Sequence, residues 1–511
     1  MSRNAYMKQS GLHTKKRSAL LTLVLLAACA SGLQAQSTQT QGTQTQGTQD
    51  TGGQDTTGAA PAATGPDITT QTIENPPLSG LDQPSFEPGF GARSYVLPSV
   101  QLSEGLDTHP TGTLGNQTAV KDVTRAIGSV ALQKLWKVHP LDIDYTGGAS
   151  WYHGANGKVY PLHSLVGIQR ILWRTGALAL RDSFSYLPQG SFGLSSFGGA
   201  GGLGGGSGLG GGTGLGGGVT TGGGIAGGAG GGVFGGGQFG SIGNQPRITN
   251  SSIVDVTQLL SPRSSVVVAA GYGRTAFLNN IPGYINSQQT TGQAGYNYQL
   301  SRQDQIAVSY SFQEFHFPRS GSGSFNANVI QAIYGHRISG KLNLSLGGGP
   351  QWIHTNSPTF GSGSSISGAG QASLTYASSI RTSMSLNYSH YANPGSGFFA
   401  GANTDSVRFA VTHKLTRMWS LTSDSGYSYS KRILTVATPT ANNSGNYSYW
   451  YAGGAVRRQL GRYFAAFLDY QYDNISFGSG FCATPGTCAT GYKQHVAVIG
   501  LDWTPQPIRL D

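Results

Sequence analysis

From about Arg93 onward, apolar and polar residues alternate with a period of two in segments of roughly ten residues, the pattern of strands with one apolar and one polar face. In QIAVSYSFQ, Ile306, Val308, Tyr310 and Phe312 share one face, and Gln305, Ala307, Ser309, Ser311 and Gln313 the other. KLNLSLGGGPQW sets Leu342, Leu344, Leu346 and Trp352 against Asn343, Ser345, Gly347 and Gln351. Met384, Leu386 and Tyr388 oppose Ser385, Asn387 and Ser389, and Val407, Phe409 and Val411 oppose Arg408 and Thr412. The last such segment, KQHVAVIGLDW, places Ala497, Ile499, Leu501 and Trp503 together. The polar face is made of small, water-compatible side chains.

The connections carry more information than any single segment. Short ones (LSPRS, LSRQD, ISGK, LTRM, LGRY) alternate with long ones (NNIPGY, PRSGSGS, NPGSGFFAGA, GSGFCATPGTCATG). An antiparallel up-and-down meander whose two ends are built differently has this signature, and transmembrane barrels have short periplasmic turns and longer external loops. A soluble β-sandwich has no reason to sort its loops by end. The predicted fold is therefore all-β: a transmembrane β-barrel over residues 93–504 with about 18 strands, an even number. The glycine tract that fills Gly201–Ser241 has almost no side chain to bury and loses much backbone entropy on ordering. It falls where the rhythm requires a long loop and the strand phase is kept across it, so residues 188–247 are predicted as an external loop inside one barrel.

Composition supports this reading. Of 511 residues only 10% are charged, yet hydrophobic residues reach only 37%, with 80 glycines and 24 tyrosines; soluble chains average about 25% charged. Such a chain suits lipid on one face and water on the other. Lys15, Lys16 and Arg17 precede SALLTLVLLAACA, an apolar run of signal-peptide length, so residues 1–35 read as an export signal. Two readings compete for its end: cleavage after Ala35, or a lipoprotein box at Leu26–Cys29 with Cys29 lipidated. Residues 36–92 form a periplasmic N-terminal segment, disordered at least in its Gln/Thr/Gly-rich part because nothing there offsets the cost of ordering. Residues 505–511 are a C-terminal tail.

Charges at polar-face positions are the candidate functional residues. Arg181, Asp255 and Arg408 are predicted to face the lumen, as are Asp424, Asp469, Asp473 and Asp502. They either solvate a wet wall or bias the passage of ions. His316, His336, His390, His413 and His495 lack metal-ligand spacing, and chance Gly-x-Gly-x-x-Gly matches in the tract lack the strand and helix that a nucleotide site needs. Neither an enzyme, a cofactor nor a metal site is expected. The net charge of +11 is spread along the short turns (Arg263, Arg302, Lys341, Arg417, Arg457), which fits a rim beside anionic lipid and argues against nucleic acid. Trp151, Trp352, Trp419, Trp450 and Trp503 suit aromatic girdles.

The opening segment SYVLPSVQLSEGLDT, hairpins such as YNYQLSRQDQIAVSYSF and the closing segment ending at Trp503 make residues 93–504 resemble outer-membrane β-barrel proteins of Gram-negative bacteria, in particular porin-like families. The resemblance implies an outer-membrane location, contact with outer-membrane lipid, and a closing aromatic strand read by the barrel assembly machinery. TPQPIRLD extends beyond Trp503, a departure from that pattern. The function implied is a channel for small polar solutes. The alternatives are a surface anchor displaying the glycine-rich loop and a pore for polymer or exopolysaccharide export. Cys482 and Cys488, separated by five residues that include Pro and Gly in an exported chain, are predicted to form a disulfide. Both thiols should therefore resist alkylation in denatured, unreduced protein; alkylation of both rejects the pairing.

Overall fold

Unpaired backbone groups cannot face hydrocarbon, so a chain that crosses a bilayer with strands must close its sheet. The computed structural model describes residues 77–79, 94–109, 120–154, 157–187, 246–278, 285–318, 323–358, 361–379, 381–395, 399–434, 445–478 and 491–510. Their strands are β1 (Tyr95–Asp107), β2 (Lys121–Lys134), β3 (Leu141–Tyr152), β4 (Lys158–Trp173), β5 (Gly176–Leu187) and β6 (Arg247–Ser261). Then come β7 (Ser264–Phe277), β8 (Ser287–Gln299), β9 (Asp304–His316), β10 (Ser324–Ser339), β11 (Leu342–Ser357) and β12 (Gly361–Ser379). The chain continues through β13 (Thr382–Asn393), β14 (Ala402–Lys414), β15 (Trp419–Arg432), β16 (Asn446–Gln459), β17 (Phe464–Phe477), β18 (Gly491–Trp503) and a short β19 (Ile508–Arg509).

β1 to β18 each pair antiparallel with their sequence neighbours, and β1 pairs with β18 from Val100↔Trp503 to Asp107↔Val496. The barrel is closed, and 18 strands span it as the alternation predicts. With strands about 4.8 Å apart and tilted about 40°, its backbone is roughly 35 Å across.

The seam has a second piece. Pro505 and Pro507 follow Trp503 and cannot donate to a ladder. The chain then returns, placing Arg509 and Ile508 opposite Tyr95 and Val96, and Leu510 N donates to Ser94 O at 3.2 Å. Pro98 falls between the two pieces, opposite neither β18 nor β19.

Alternation sorts the faces. In β9, Ile306, Val308 and Tyr310 are exposed while Ala307, Ser309, Ser311 and Gln313 are buried inward. In β18, Ile499, Leu501 and Trp503 point out while Gln494 and Asp502 point in. Trp151, Trp419, Trp450 and Trp503 are exposed on the outer surface, at both ends of the strands, and Arg458 lies over the Trp419 ring at 5.2 Å. The inner face is less uniformly polar than the alternation suggests. Val123, Ile127, Val496, Val498 and a group of phenylalanines also face inward, because period two fixes a side but not its polarity.

The tight turns share a device. A Ser or Thr hydroxyl accepts the backbone N–H two residues on: Arg263 N to Ser261 at 3.2 Å, Gln303 N to Ser301 at 3.0 Å, Lys341 N to Ser339 at 3.2 Å and Met418 N to Thr416 at 3.2 Å. This satisfies a turn amide locally, as such hydroxyls do in ST turns. Register shifts at Leu259/Ser261, Arg337/Ser339 and Ala377/Ser379 mark the same rim, where barrels concentrate bulges.

β5 and β6 are hairpin partners, with Leu187 opposite Arg247, so the glycine tract joins two adjacent strands of the one sheet. The tract itself, the export signal, Cys29, Cys482 and Cys488 lie outside the described residues.

The face assignment predicts that Val308→Arg, at a lipid-facing position 57% exposed, impairs assembly where Val308→Leu does not. Arginine near the midplane costs about 2–4 kcal/mol. The readout is heat-modifiable migration of the folded barrel, and equal migration of both variants refutes the assignment.

Candidate functional site

The inner wall is where a barrel of this size can act, and all seven sequence-predicted charges lie on it. Arg181, Asp255, Asp424, Asp469, Asp473 and Asp502 are buried there, and Arg408 is partly buried. The structure joins four of them in two pairs of the same design. Arg181 Nε donates to Asp255 Oδ1 at 2.7 Å, although the register sets Arg181 opposite Ile253 and Ala179 opposite Asp255. Arg408 likewise faces Gly426 while its guanidinium reaches diagonally to Asp424, with Nε at 3.2 Å from Oδ1 and 3.0 Å from Oδ2 and Nη2 also on Oδ2. Diagonal neighbours lie within reach of long side chains on a pleated face. Tyr451 OH donates to Asp424 Oδ1 at 2.7 Å and completes the second site.

The remaining three are dispersed. Asp473 accepts from Tyr449 OH at 2.6 Å and from Gln471 Nε2 at 2.8 Å. Asp502 meets Arg457 Nη1 at 3.6 Å across β17, where Arg457 is opposite Phe467 and Asp502 opposite Ala465. Asp469 is 3% exposed, and its Oδ1 has no hydrogen-bond partner.

Several wall residues escaped the sequence reading. Asp107 is fully buried and accepts from Gln494 Nε2 at 2.9 Å, and Arg125 is buried on the same inner side. Arg125 stands between inward Val123 and Ile127, so its face reads as apolar. The usable signal was its mid-strand position, because a charge there is costly on the lipid side. Gln101 is fully buried with both amide atoms unpartnered, and the Ser103 hydroxyl beside it is also unpartnered. Together β14 to β18, β1 and β2 carry inward Asp424, Asp469, Asp473, Asp502 and Asp107 against Arg408, Arg432, Arg457 and Arg125, a sector with one more carboxylate than guanidiniums.

Toward the ends that carry the long connections, the wall turns aromatic. Phe315 and Phe325 stack at 4.5 Å and pack with Phe317, Ile353, Ala400 and Leu434. Phe399 lies 5.2 Å from the Tyr447 ring and 4.6 Å from the Arg432 guanidinium. Gly395 (φ 80°) and Gly401 (φ 85°) take conformations that only glycine adopts readily, and a Cβ at Gly401 would strike the Phe325 ring at 2.3 Å. These two glycines let the end of the β13–β14 connection fold against the inner wall.

The histidines sit elsewhere. His336 pairs with Asp304 at 2.8 Å, His390 with Asp405 at 2.7 Å, and Tyr470 OH lies 2.8 Å from His495 Nδ1, all near strand ends. Among the described residues no group of three or more His, Cys, Asp or Glu side chains is arranged to hold a metal ion.

The closed sheet, the apolar outer band and the charged, hydrogen-bonded inner wall define a transmembrane β-barrel of the bacterial outer-membrane type. No family model and no curated protein matches the chain. Among solved structures it is similar to OccK2 (OpdF) of Pseudomonas aeruginosa in complex with glucuronate, at 10% identity and TM-score 0.39, covering 81% of this chain and 99% of that one. OpdO of Pseudomonas aeruginosa gives 10% identity and TM-score 0.40 over 81% and 97% of the two chains, and OccAB4 of Acinetobacter baumannii 7% and 0.40 over 83% and 100%. Closure of this barrel stands on its own β1–β18 register.

Breaking a buried pair by removing one partner strands the other charge, whereas removing both is often near neutral. Asp424→Leu should thus destabilise the refolded barrel by ~3 kcal/mol, and Arg408→Met with Asp424→Leu should recover most of that in urea unfolding. Equal losses for the single and double variants would show that the pair is not coupled.

Proposed function

We propose that this protein is an outer-membrane channel through which small polar solutes pass without chemistry. The carrying observation is the wall formed by β17, β18 and β1. There Gln101, Asp469, Asp473, Gln494 and Asp502 line the inner side from one level to the next, several with polar atoms that no protein group satisfies. Buried polar atoms of this kind call for ordered water or another polar partner, whereas the outer side of the same strands shows Leu102, Leu468, Ile499 and Leu501 to lipid. Barrels of 16 to 18 strands leave an aqueous channel unless something fills it.

The carboxylate-rich sector supports a preference for cations, as acidic rings do in cation channels. The purified protein should form ohmic pores in planar bilayers, with a reversal potential of cation-selective sign in a KCl gradient. Asp469→Asn with Asp502→Asn should move that potential toward zero. Folded protein that inserts without conducting rejects the channel, and an unmoved potential rejects the role of these two carboxylates.

The β5–β6 hairpin favours one addition. Because Leu187 and Arg247 are paired neighbours, residues 188–246 leave and return at one point of the rim, which suits an external loop displayed by the barrel. Loop-closure entropy changes by only about 0.6 kcal/mol per doubling of length. Shortening the tract to a few Gly/Ser residues should leave heat-modifiable folding intact, and a tag at Gly223 should be reached by protease on intact cells. A tag protected until the outer membrane is breached would argue against display.

A further inference from the structure

Part of the chain that precedes β1 lies against the inner wall. Ser79 is fully buried, and all three of its polar groups are held by β8. Its N–H donates to Asn297 Oδ1 at 2.8 Å, Asn297 Nδ2 donates to its hydroxyl at 2.7 Å, and Gln293 Nε2 donates to its carbonyl at 2.8 Å. Asn297 and Gln293 are inward residues four apart, with Gly295 between them.

The wall is also shaped for this contact. A Cβ at Gly295 would stand 2.4 Å from the Ser79 Cβ and Oγ, and a Cβ at Gly335 on β10 would stand 2.7 Å from Leu78 Cδ2. Gly295 is opposite Ser309, Ala307 is opposite both Asn297 and Ile333, and Gly335 is opposite Gln305. Gly295, Ala307 and Gly335 therefore step diagonally across three strands as a recess of minimal side chains. Two amides grip one end of what lies in it, and a leucine rests in the other.

The recess is near the short-turn ends of β8 and β10, which finish at Gln299 and Ser339. Ser94 enters β1 at that same end, yet β10 is nine strands from β1 in either direction. The 15 residue steps from Ser79 to Ser94 can reach about 50 Å, more than the roughly 35 Å width of an 18-strand barrel. The tether is long enough for the anchor to sit on the opposite wall.

We propose that the Gly295–Ala307–Gly335 recess is a peptide-binding site inside the lumen, and that its resident ligand is the chain's own Pro77–Ser79, which restricts flow at the short-turn end. Pro76 and Pro77 favour an extended backbone before docking, which lowers the ordering cost. Three neutral hydrogen bonds and one leucine make a displaceable contact rather than a fixed wall. The docking stands on the contacts alone; the restriction of flow rests on the channel reading.

The full-length protein with Cys482→Ser and Cys488→Ser tests both parts. Ser79→Cys with Asn297→Cys should form a disulfide under mild oxidation in the folded barrel. Ser79→Cys with Ser99→Cys, the latter on the inner face of β1, should not. Cross-linking of the first pair no better than the second overturns the docking. Gly295→Leu, checked for heat-modifiable folding, should abolish the Ser79–Asn297 cross-link. In planar bilayers, reducing the cross-linked protein should raise conductance severalfold. A cross-linked protein that conducts equally before and after reduction overturns the restriction of flow while leaving the docking. No conductance in either state defeats the channel reading instead, with the docking still judged by the cross-link.

Discussion

The constraint on which everything else rests is that no backbone N–H or C=O may be left facing lipid. An open sheet of this length would expose two edges along its whole height; the β1–β18 register removes both. Once the sheet is closed, each strand residue has only two directions available, and the polarity of each side follows from its solvent. The outer side is set by hydrocarbon, which favours Val308, Leu468 and Ile499; the charges found there, such as Glu104 and Asp182, are hydrogen-bonded by Thr124 and Ser252. The inner side has no such rule, and so it carries Arg125 beside Val123 and aspartates beside phenylalanines.

That difference explains what could be read from the chain. The lipid face tolerates few residue types, so alternation in segments such as QIAVSYSFQ identifies strands, faces and closure with little help from any one residue. The turns were legible too, because the loop lengths alternate by end. Inner-wall partners were not. Arg408 and Asp424, or Asp502 and Arg457, meet through diagonal register or across an intervening strand. A one-residue change in any hairpin would repoint them, and no periodicity specifies it. Arg457 reads as a rim charge from its nearness to a tight turn, and only the register shows it reaching Asp502. Ser79 was invisible for another reason: its partners are 214 and 218 residues away, and it lies in a Pro-rich stretch that reads only as extended chain.

The inner wall is thus organised by height. Charged pairs, glutamines and aspartates occupy the body of the barrel, aromatic side chains gather where the long connections leave, and the Ser79 contact sits near the short turns. In the proposed channel a solute moving along the axis would meet these surfaces in sequence, each offering a different chemistry. Selection in such a passage comes from the succession of weak contacts rather than from one tight site.

The divided seam has a consequence for how the barrel is completed. Eight residue pairs join β1 to β18, and only two join β1 to β19. The β1–β18 ladder closes the cylinder up to Trp503, and the final residues lie on Ser94 and Tyr95 as a clasp beyond that join. Ser94 and Leu510, at the two ends of the described barrel, are thereby fastened to each other. Ser94 and Tyr95 are also held by Leu135 and Gln133 on the β2 side, so the clasp can yield while the cylinder stays shut.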